Sequence, residues 1–98
     1  MDDIRFEWDP ARARLNVRKH GVTFEEAQTA FSDESAVIID DPDDSDGEAR
    51  LILLGMSAAL RILVVVHVYR VNPDTIRIIS ARRAAKRERA SYAKRFQR

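Results

Sequence analysis

The sequence predicts an α+β fold in which two N-terminal helices cover one face of an antiparallel β-sheet and a further helix closes the chain. Helix start signals occur in two adjacent segments near the N-terminus, strand-like segments joined by short turns fill the middle, and a strongly charged helical segment comes last. Strands joined by tight turns pair antiparallel, and helices bury their apolar side on a sheet. A chain of 98 residues fits a single domain, residues 1–98.

The first element is a short strand over Ile4–Trp8, where apolar and charged residues alternate. A basic helix follows over Pro10–His20. Asp9 can accept from the free amides of its first turn, and proline is favoured at the first helical position. Gly21 is placed to end the helix in the left-handed conformation.

A second helix begins immediately after Gly21. Thr23 and Glu26 have the spacing of a capping box, and Val22 is placed as the hydrophobic residue before the cap. Apolar residues then recur at helical spacing, at Phe24, Ala27, Ala30 and Phe31.

The remaining chain is predicted as four strands and a closing helix. The turn-rich stretch Asp41–Gly47 and the turn Val71–Asp74 separate strands. The strands are expected at Ala36–Asp40, Leu51–Ser57, Arg61–Arg70 and Thr75–Ala81, and the helix at about Arg83–Phe96.

Composition excludes several functional classes. The chain has no cysteine and only two histidines, which excludes disulfides and thiolate metal sites and argues against any metal or other cofactor. It has no apolar run long enough to span a bilayer, and its acidic N-terminus does not resemble a signal peptide. We therefore expect a soluble cytoplasmic protein with no membrane association.

Charge is unevenly distributed although the formal net charge is only +1. Residues 33–48 contain only acidic charges, whereas residues 82–98 are basic except for Glu88. The basic end suits a polyanion, although both segments could equally be solvated surface. The acidic stretch does not have the ligand spacing of a calcium loop, since Ser45 and Ile52 occupy the fifth and twelfth positions counted from Asp41.

The strand Arg61–Arg70 supplies the first candidate catalytic residues. Strict alternation places Arg61, His67 and Tyr69 together on one face. The other face is apolar up to Arg70, so we expect that face to meet the helices and the His67 face to stay accessible. Alternatively, His67 is a half-buried sheet histidine bonded to a neighbour.

Further cations lie on the next strand and at the end of the first helix. Arg77 needs a partner or a polyanion among its β-branched neighbours, but its face depends on the register of the preceding turn. The remaining candidates are Lys19, His20, Arg82, Arg83 and Lys86. Alternatively, Lys19 and His20 only complement the dipole of the first helix.

This set is compatible with metal-independent RNA cleavage, although many basic sheets would carry similar residues. Such cleavage needs a base for the 2′-OH, an acid for the leaving 5′-oxygen and cations for the charged phosphate. We expect His67 to act as base or acid and Arg61, Arg77 and Arg82 to stabilise charge. The expected RNA-binding residues are Lys19, His20, Tyr69, Arg83 and Lys86.

Several separated motifs resemble the BrnT family of toxins. The matching blocks run from Phe6 to Tyr92 in the same order: FEWDP, Asn16, RKHGV with FEEA, DPD with GE and Arg50, IRIISAR, and Arg87-Glu88 with Tyr92. The resemblance implies a RelE-like ribonuclease fold and translation arrest by RNA cleavage. It also implies a ribbon-helix-helix antitoxin of the BrnA kind, with which the toxin forms a heterotetramer that contacts operator DNA only through the antitoxin.

The chain departs from the usual family pattern at Asp44, where a histidine is common, at Ala93, and in the length of the turn Val71–Asp74. We interpret position 44 as structural. Two alternatives to the toxin hypothesis are a non-catalytic RNA-binding module and a degenerate toxin that acts only as a co-repressor. We expect an acidic antitoxin segment to lie over Arg82–Arg98.

Overall fold

The computed structural model of the chain describes residues 4–42, 49–70 and 74–96. Its helices are α1 (Pro10–His20), α2 (Phe24–Thr29), which continues into a 3₁₀ turn at Ala30–Ser32, and α3 (Lys86–Ala93), which continues into a 3₁₀ turn at Lys94–Phe96. Its strands are β1 (Arg5–Glu7), β2 (Val37–Asp40), β3 (Arg50–Met56), β4 (Ile62–Arg70) and β5 (Thr75–Arg83). The predicted α+β class is confirmed. The turn residues 71–73, and residues 43–48 of the acidic stretch, including Asp44, lie outside the described residues.

The strands form one mixed sheet of five strands in the order β1-β5-β4-β3-β2. The prediction of a wholly antiparallel sheet is wrong, because β1 pairs parallel to β5 through Arg5–Thr75, Phe6–Ile76 and Glu7–Arg77. Only β2 to β5 follow one another along the chain without a helix between them. The two N-terminal helices separate β1 from the rest of the sheet, so no tight turn imposes an antiparallel partner on it.

The predicted helix caps are present, with one difference. Asp9 accepts from the Ala11 amide at 3.1 Å, and Gly21 ends α1 with a φ of 69°. Thr23 accepts from the Glu26 amide at 3.0 Å. The carboxylate of Glu26, however, does not return to the cap but binds Ser57 and Arg61, so only half of the predicted capping box forms.

The core lies between the N-terminal helices and one face of the sheet. Val22, Phe24 and Ala27 pack in it with residues of β3, β4 and β5, namely Leu53, Leu63, Val65, Ile76, Ile78 and Ala81. The face assignment predicted for β4 is therefore wrong, because the set containing Leu63, Val65 and His67 points into this core. Val64 and Val68 are also buried, on the opposite face. A strand covered on both sides shows little hydrophobic alternation.

Asn16 attaches α1 to the edge of the sheet. It is buried, and its Nδ2 donates to the carbonyl oxygens of Val22 and Ala81 at 2.9 and 2.7 Å. Its Oδ1 accepts from the Ala81 amide at 3.1 Å. Since β1 reaches only as far as Arg77, the Asn16 side chain takes the place that a neighbouring strand would have beside Ala81.

Asp33 attaches α3 to the rest of the domain. Its carboxylate accepts from the amides of Ser35 and Met56 at 2.9 and 2.8 Å and from the Tyr92 hydroxyl at 2.6 Å. Burial alone would raise the pKa of Asp33, but these hydrogen bonds outweigh it and lower the pKa. Burial together with the bond to Asp33 raises the pKa of Tyr92 to about 12. Tyr92 is thus part of the folded body.

Within the described part of the chain, every helix is too short or too polar to cross a membrane.

Replacing Asn16 with alanine is expected to lower the free energy of unfolding by about 2–4 kcal/mol, because the buried amide and carbonyl of Ala81 lose their partner on that side. Denaturant unfolding followed by circular dichroism measures the loss. The control is Val17→Ala, one residue along the same helix and exposed. Equal midpoints for the two variants would contradict the role given to Asn16.

Candidate functional site

An extra residue in β5 decides which side chains share the face of the sheet opposite the core. Val66 pairs with Ser80, but the next residue of β4, His67, pairs with Ile78, which leaves Ile79 without a partner. Arg77 and Arg82 are five residues apart, so strict alternation would place them on opposite faces. The bulge at Ile79 reverses the alternation and brings both arginines to the same face.

We call this face the platform, and define it by Glu7, Arg77, Ser80 and Arg82 together with the valines of β4 between them. Arg77 lies beside Val68, Ser80 beside Val66 and Arg82 beside Val64. The residues opposite the two arginines, Val64 and Val68, are four positions apart on β4, or about 13 Å along the strand. The sheet therefore fixes the backbone positions from which the two arginine side chains extend.

One end of the platform is a carboxylate between two arginines. Glu7 Oε2 lies 3.1 Å from Arg77 Nη1 and 3.5 Å from Arg70 Nη1. The Glu7 and Arg77 side chains are 40% and 34% exposed, so solvent and a ligand can reach both. An ionised carboxylate accepts protons and hydrogen bonds, while the arginines stay cationic at any physiological pH.

The other end is a paired arginine next to α3. Arg82 donates to both carboxylate oxygens of Glu88 at 2.8 Å, and Glu88 also accepts from the Ala85 amide at 2.7 Å. The hydrogen bonds from Arg82, followed by the Ala85 amide, lower the pKa of Glu88 to about 2. Glu88 therefore remains ionised and holds the Arg82 fork in one orientation. Between α3 and the sheet a groove of about 260 Å³ runs past Arg82.

His67 lies inside the core and not on the platform. Its side chain is 1% exposed, its ring packs edge-on against Phe31 at 4.8 Å, and its Nδ1 lies 3.1 Å from the Val65 carbonyl oxygen. Because a carbonyl oxygen only accepts, Nδ1 carries the proton of this bond. Burial lowers the pKa of His67. The accessible position expected for this imidazole is therefore wrong.

Arg61 belongs to the side of the molecule where α1 meets α2. It forms a bidentate ion pair with Glu26 and donates to the Gly21 carbonyl oxygen. The hydrogen bond from Arg61 is the main reason that the pKa of Glu26 is lowered. The four residues predicted as one catalytic group are thus divided, with Arg77 and Arg82 on the platform and Arg61 and His67 away from it.

The five predicted RNA-binding residues are also dispersed. Tyr69 is on the core side of β4, and its hydroxyl donates to Asp74 at 2.9 Å. Arg83 pairs with Leu63 on that same side, where its charge contributes to the lowered pKa of Glu26. Lys86 is exposed in the first turn of α3, and Lys19 and His20 end α1.

In residues 4–42, 49–70 and 74–96, no group of three or more His, Asp or Glu side chains is arranged to hold a metal ion. The absence of a metal requirement stays a prediction. With two partly exposed arginines and one partly exposed carboxylate on the same sheet face, the platform can bind an anion and accept a proton beside it.

Residues 8–88 match the family model described as "Ribonuclease toxin, BrnT, of type II toxin-antitoxin system". The chain belongs to this BrnT family. The predicted family resemblance is confirmed, and the matched region includes Arg77, Arg82 and Glu88. As a type II toxin family, BrnT implies an antitoxin partner.

The crystal structure of the Brucella abortus ribonuclease toxin BrnT has a similar fold. The two chains are 23% identical and superpose with a TM-score of 0.64, over 86% of this chain and 100% of the Brucella chain. No curated protein sequence matches the chain.

Sequence reasoning missed Glu7, which belongs to the platform, and Glu88, which pairs with Arg82 from α3. Glu7 alternates with Phe6 and Trp8, which pack against the core, so it could have been placed on the opposite face. The odd spacing of Arg77 and Arg82 was also informative, because two residues an odd number of positions apart on one strand share a face only if the strand contains a bulge.

Replacing His67 with leucine is expected to flatten the dependence of stability on pH. The pKa of His67 is lowered in the folded state, so the unfolded state binds the proton more readily. Stability is therefore lost as the pH falls below about 6.5, by at most about 1.4 kcal/mol per pH unit. Urea midpoints between pH 5 and 8 measure this, and parallel curves for the two proteins would contradict the assignment.

Proposed function

We propose that the protein cleaves RNA without a metal ion, arrests translation by doing so, and uses the platform as its active surface. The observation that supports this most strongly is the placement of Arg77 and Arg82, both partly exposed, on one face of the sheet, with the Glu7 carboxylate in contact with Arg77. The RelE-like description of the fold and the cytoplasmic location remain parts of this proposal.

The arginines have an electrostatic role. When the 2′-oxygen attacks phosphorus, negative charge builds up on the non-bridging oxygens of the phosphate. A planar guanidinium donates two parallel hydrogen bonds to such oxygens. Arg77 and Arg82 are 34% and 42% exposed in their side chains, so a phosphate can approach Arg77 from solvent, and Arg82 through the N–H groups that its pair with Glu88 leaves unused.

Glu7 is the proposed general base. Its carboxylate takes the proton from the 2′-OH as the oxygen–phosphorus bond forms, and the bond to the 5′-oxygen breaks. That oxygen then takes a proton from water, which leaves a 2′,3′-cyclic phosphate and a free 5′-OH. The contacts with Arg70 and Arg77 hold Glu7 beside the phosphate that these cations would bind. This assignment replaces His67, whose ring is buried.

Cleavage of a fluorogenic RNA by the purified protein tests the proposal. Arg77→Ala and Arg82→Ala are each expected to lower kcat/KM roughly 100-fold or more, the usual effect of removing a charge-stabilising donor. Glu7→Gln should lower kcat, because an amide cannot take the proton of the 2′-OH. Excess EDTA should leave the wild-type rate unchanged.

Arg87→Ala is the matched control, since it removes an exposed arginine of α3 outside the platform. Cleavage that survives both platform substitutions would exclude this surface as the active site. Retention of intact RNA, lost at high salt, would instead favour the alternative of a non-catalytic RNA-binding module.

The antitoxin is proposed to be a ribbon-helix-helix protein of the BrnA kind that forms a heterotetramer with the toxin and alone contacts operator DNA. We place its acidic segment against α3, which carries Lys86, Arg87 and Arg89 and continues into Lys94 and Arg95. Such a segment would also cover Arg82.

Truncation from Tyr92 is a poor test of this interface, because Tyr92 is buried and bonded to Asp33. Lys94→Glu with Arg95→Glu is a sharper one, and it should weaken binding of the protein encoded by the adjacent reading frame at least tenfold by charge repulsion. Arg14→Glu with Arg18→Glu on α1 is the matched control. Unchanged affinity at α3, measured by calorimetry, would contradict the placement.

A further inference from the structure

A second basic surface lies outside the platform, in a cleft of about 470 Å³ between α1 and the outer edge of β5. We call it the edge cleft. Asn16 lies at its base, where it binds Ala81. The other lining residues are Arg12, Leu15, Arg18, Lys19, Ile79 and Ser80.

The cations of the edge cleft differ from those of the platform in their ion pairing. Among the described residues, Arg12, Arg18 and Lys19 form no ion pair, whereas Arg77 is paired with Glu7 and Arg82 with Glu88. The described residues that line the cleft include no carboxylate. Three unneutralised positive charges around one concave surface attract an anionic ligand.

The cleft also contains apolar surface that folding does not explain. Leu15 is 60% exposed although it sits between arginines on a strongly basic helix. Ile79, the unpaired residue of the bulge, faces it from β5. Aliphatic side chains beside cations match a nucleic acid strand, in which a flat base adjoins each phosphate.

Ser80 connects the edge cleft to the platform. It lines the cleft, and on β5 it also lies between Arg77 and Arg82 on the platform face. A strand bound at the platform can therefore continue around the edge of β5 into the cleft without leaving protein surface.

We propose that the edge cleft binds single-stranded RNA adjacent to the cleaved bond, with Arg12 and Lys19 on phosphates and a base against Leu15 and Ile79. This deepens the proposed function, on which it rests, by specifying an unpaired substrate. A base inside a duplex is stacked and cannot reach Leu15. The cleft captures the strand, and the platform performs the reaction.

Binding of a fluorescent 2′-O-methyl decanucleotide, measured by anisotropy, tests the proposal. This RNA has no free 2′-OH and cannot be cleaved, so binding is measured independently of catalysis. For single strands the slope of log K against log salt is about −0.7 per phosphate contact. The Arg12→Ala/Lys19→Ala variant is expected to bind more weakly, with a slope reduced in magnitude by about 1.4.

Arg14→Ala/Lys94→Ala is the matched control, since it removes the same charge from exposed positions outside the cleft. The control variant should retain a higher affinity for the decanucleotide, and a steeper slope of log K against log salt, than the cleft variant. A second comparison uses cleavage: the cleft variant should cut a dinucleotide at the wild-type rate but a decanucleotide more slowly. Arg77→Ala should slow both.

The proposal would be overturned if the salt slope of the cleft variant were unchanged. If the cleft variant bound RNA normally but no longer bound the antitoxin, the cleft would be assigned to a protein partner instead. If Arg77→Ala still slows cleavage in either case, the proposed function stands and only the cleft assignment fails. If the Arg77 and Glu7 variants cleave normally while the cleft variant binds RNA poorly, the platform assignment fails alone.

Discussion

The bulge residue of β5, Ile79, is the constraint on which the arrangement of the platform depends. Without the bulge at Ile79, strict alternation would place Arg82 on the core face of β5, away from Glu88 and from the face that carries Arg77. With the bulge, Ala81 fills that position and Arg82 reaches Glu88. Asn16 makes the arrangement stable, because it binds both backbone groups of Ala81 just beyond the irregularity, where β1 no longer covers the strand. Packing and site geometry thus follow from one local feature.

Much of the fold could be predicted from local signals. Asp9, Pro10, Gly21 and Thr23 act through contacts within a few residues, and they defined the N-terminal helices correctly. The order of strands β2 to β5 followed from the turns between them. The direction of β1 could not be predicted in this way. Its parallel partner lies 70 residues away, as in the pairing of Glu7 with Arg77, and such a distant pairing has no local sequence signal.

The site was harder to predict than the fold. Alternation shows which face of a strand is exposed only when one face is polar. Because β4 is buried on both faces, the single imidazole of His67 led to the wrong face being assigned as accessible. The roles of Glu7 and Glu88 depend on which residues lie opposite them across the sheet, information that a single sequence does not contain. Arg77 and Arg82 were recognised by residue type, yet their common face required the register to be known.

The carboxylate of Asp33 links three parts of the chain and so bears on the order in which the domain assembles. Met56 supplies a backbone amide once β3 has formed, and Tyr92, 59 residues from Asp33, supplies its hydroxyl last. During synthesis α3 leaves the ribosome after everything it contacts. The helix α3 therefore docks onto the Asp33 carboxylate when that acceptor is already in place. The entropy cost of closing the loop between these distant residues is incurred late, after the sheet has formed. A chain cut short before Tyr92 would lack the hydrogen bond that joins α3, and with it Glu88, to the body of the domain.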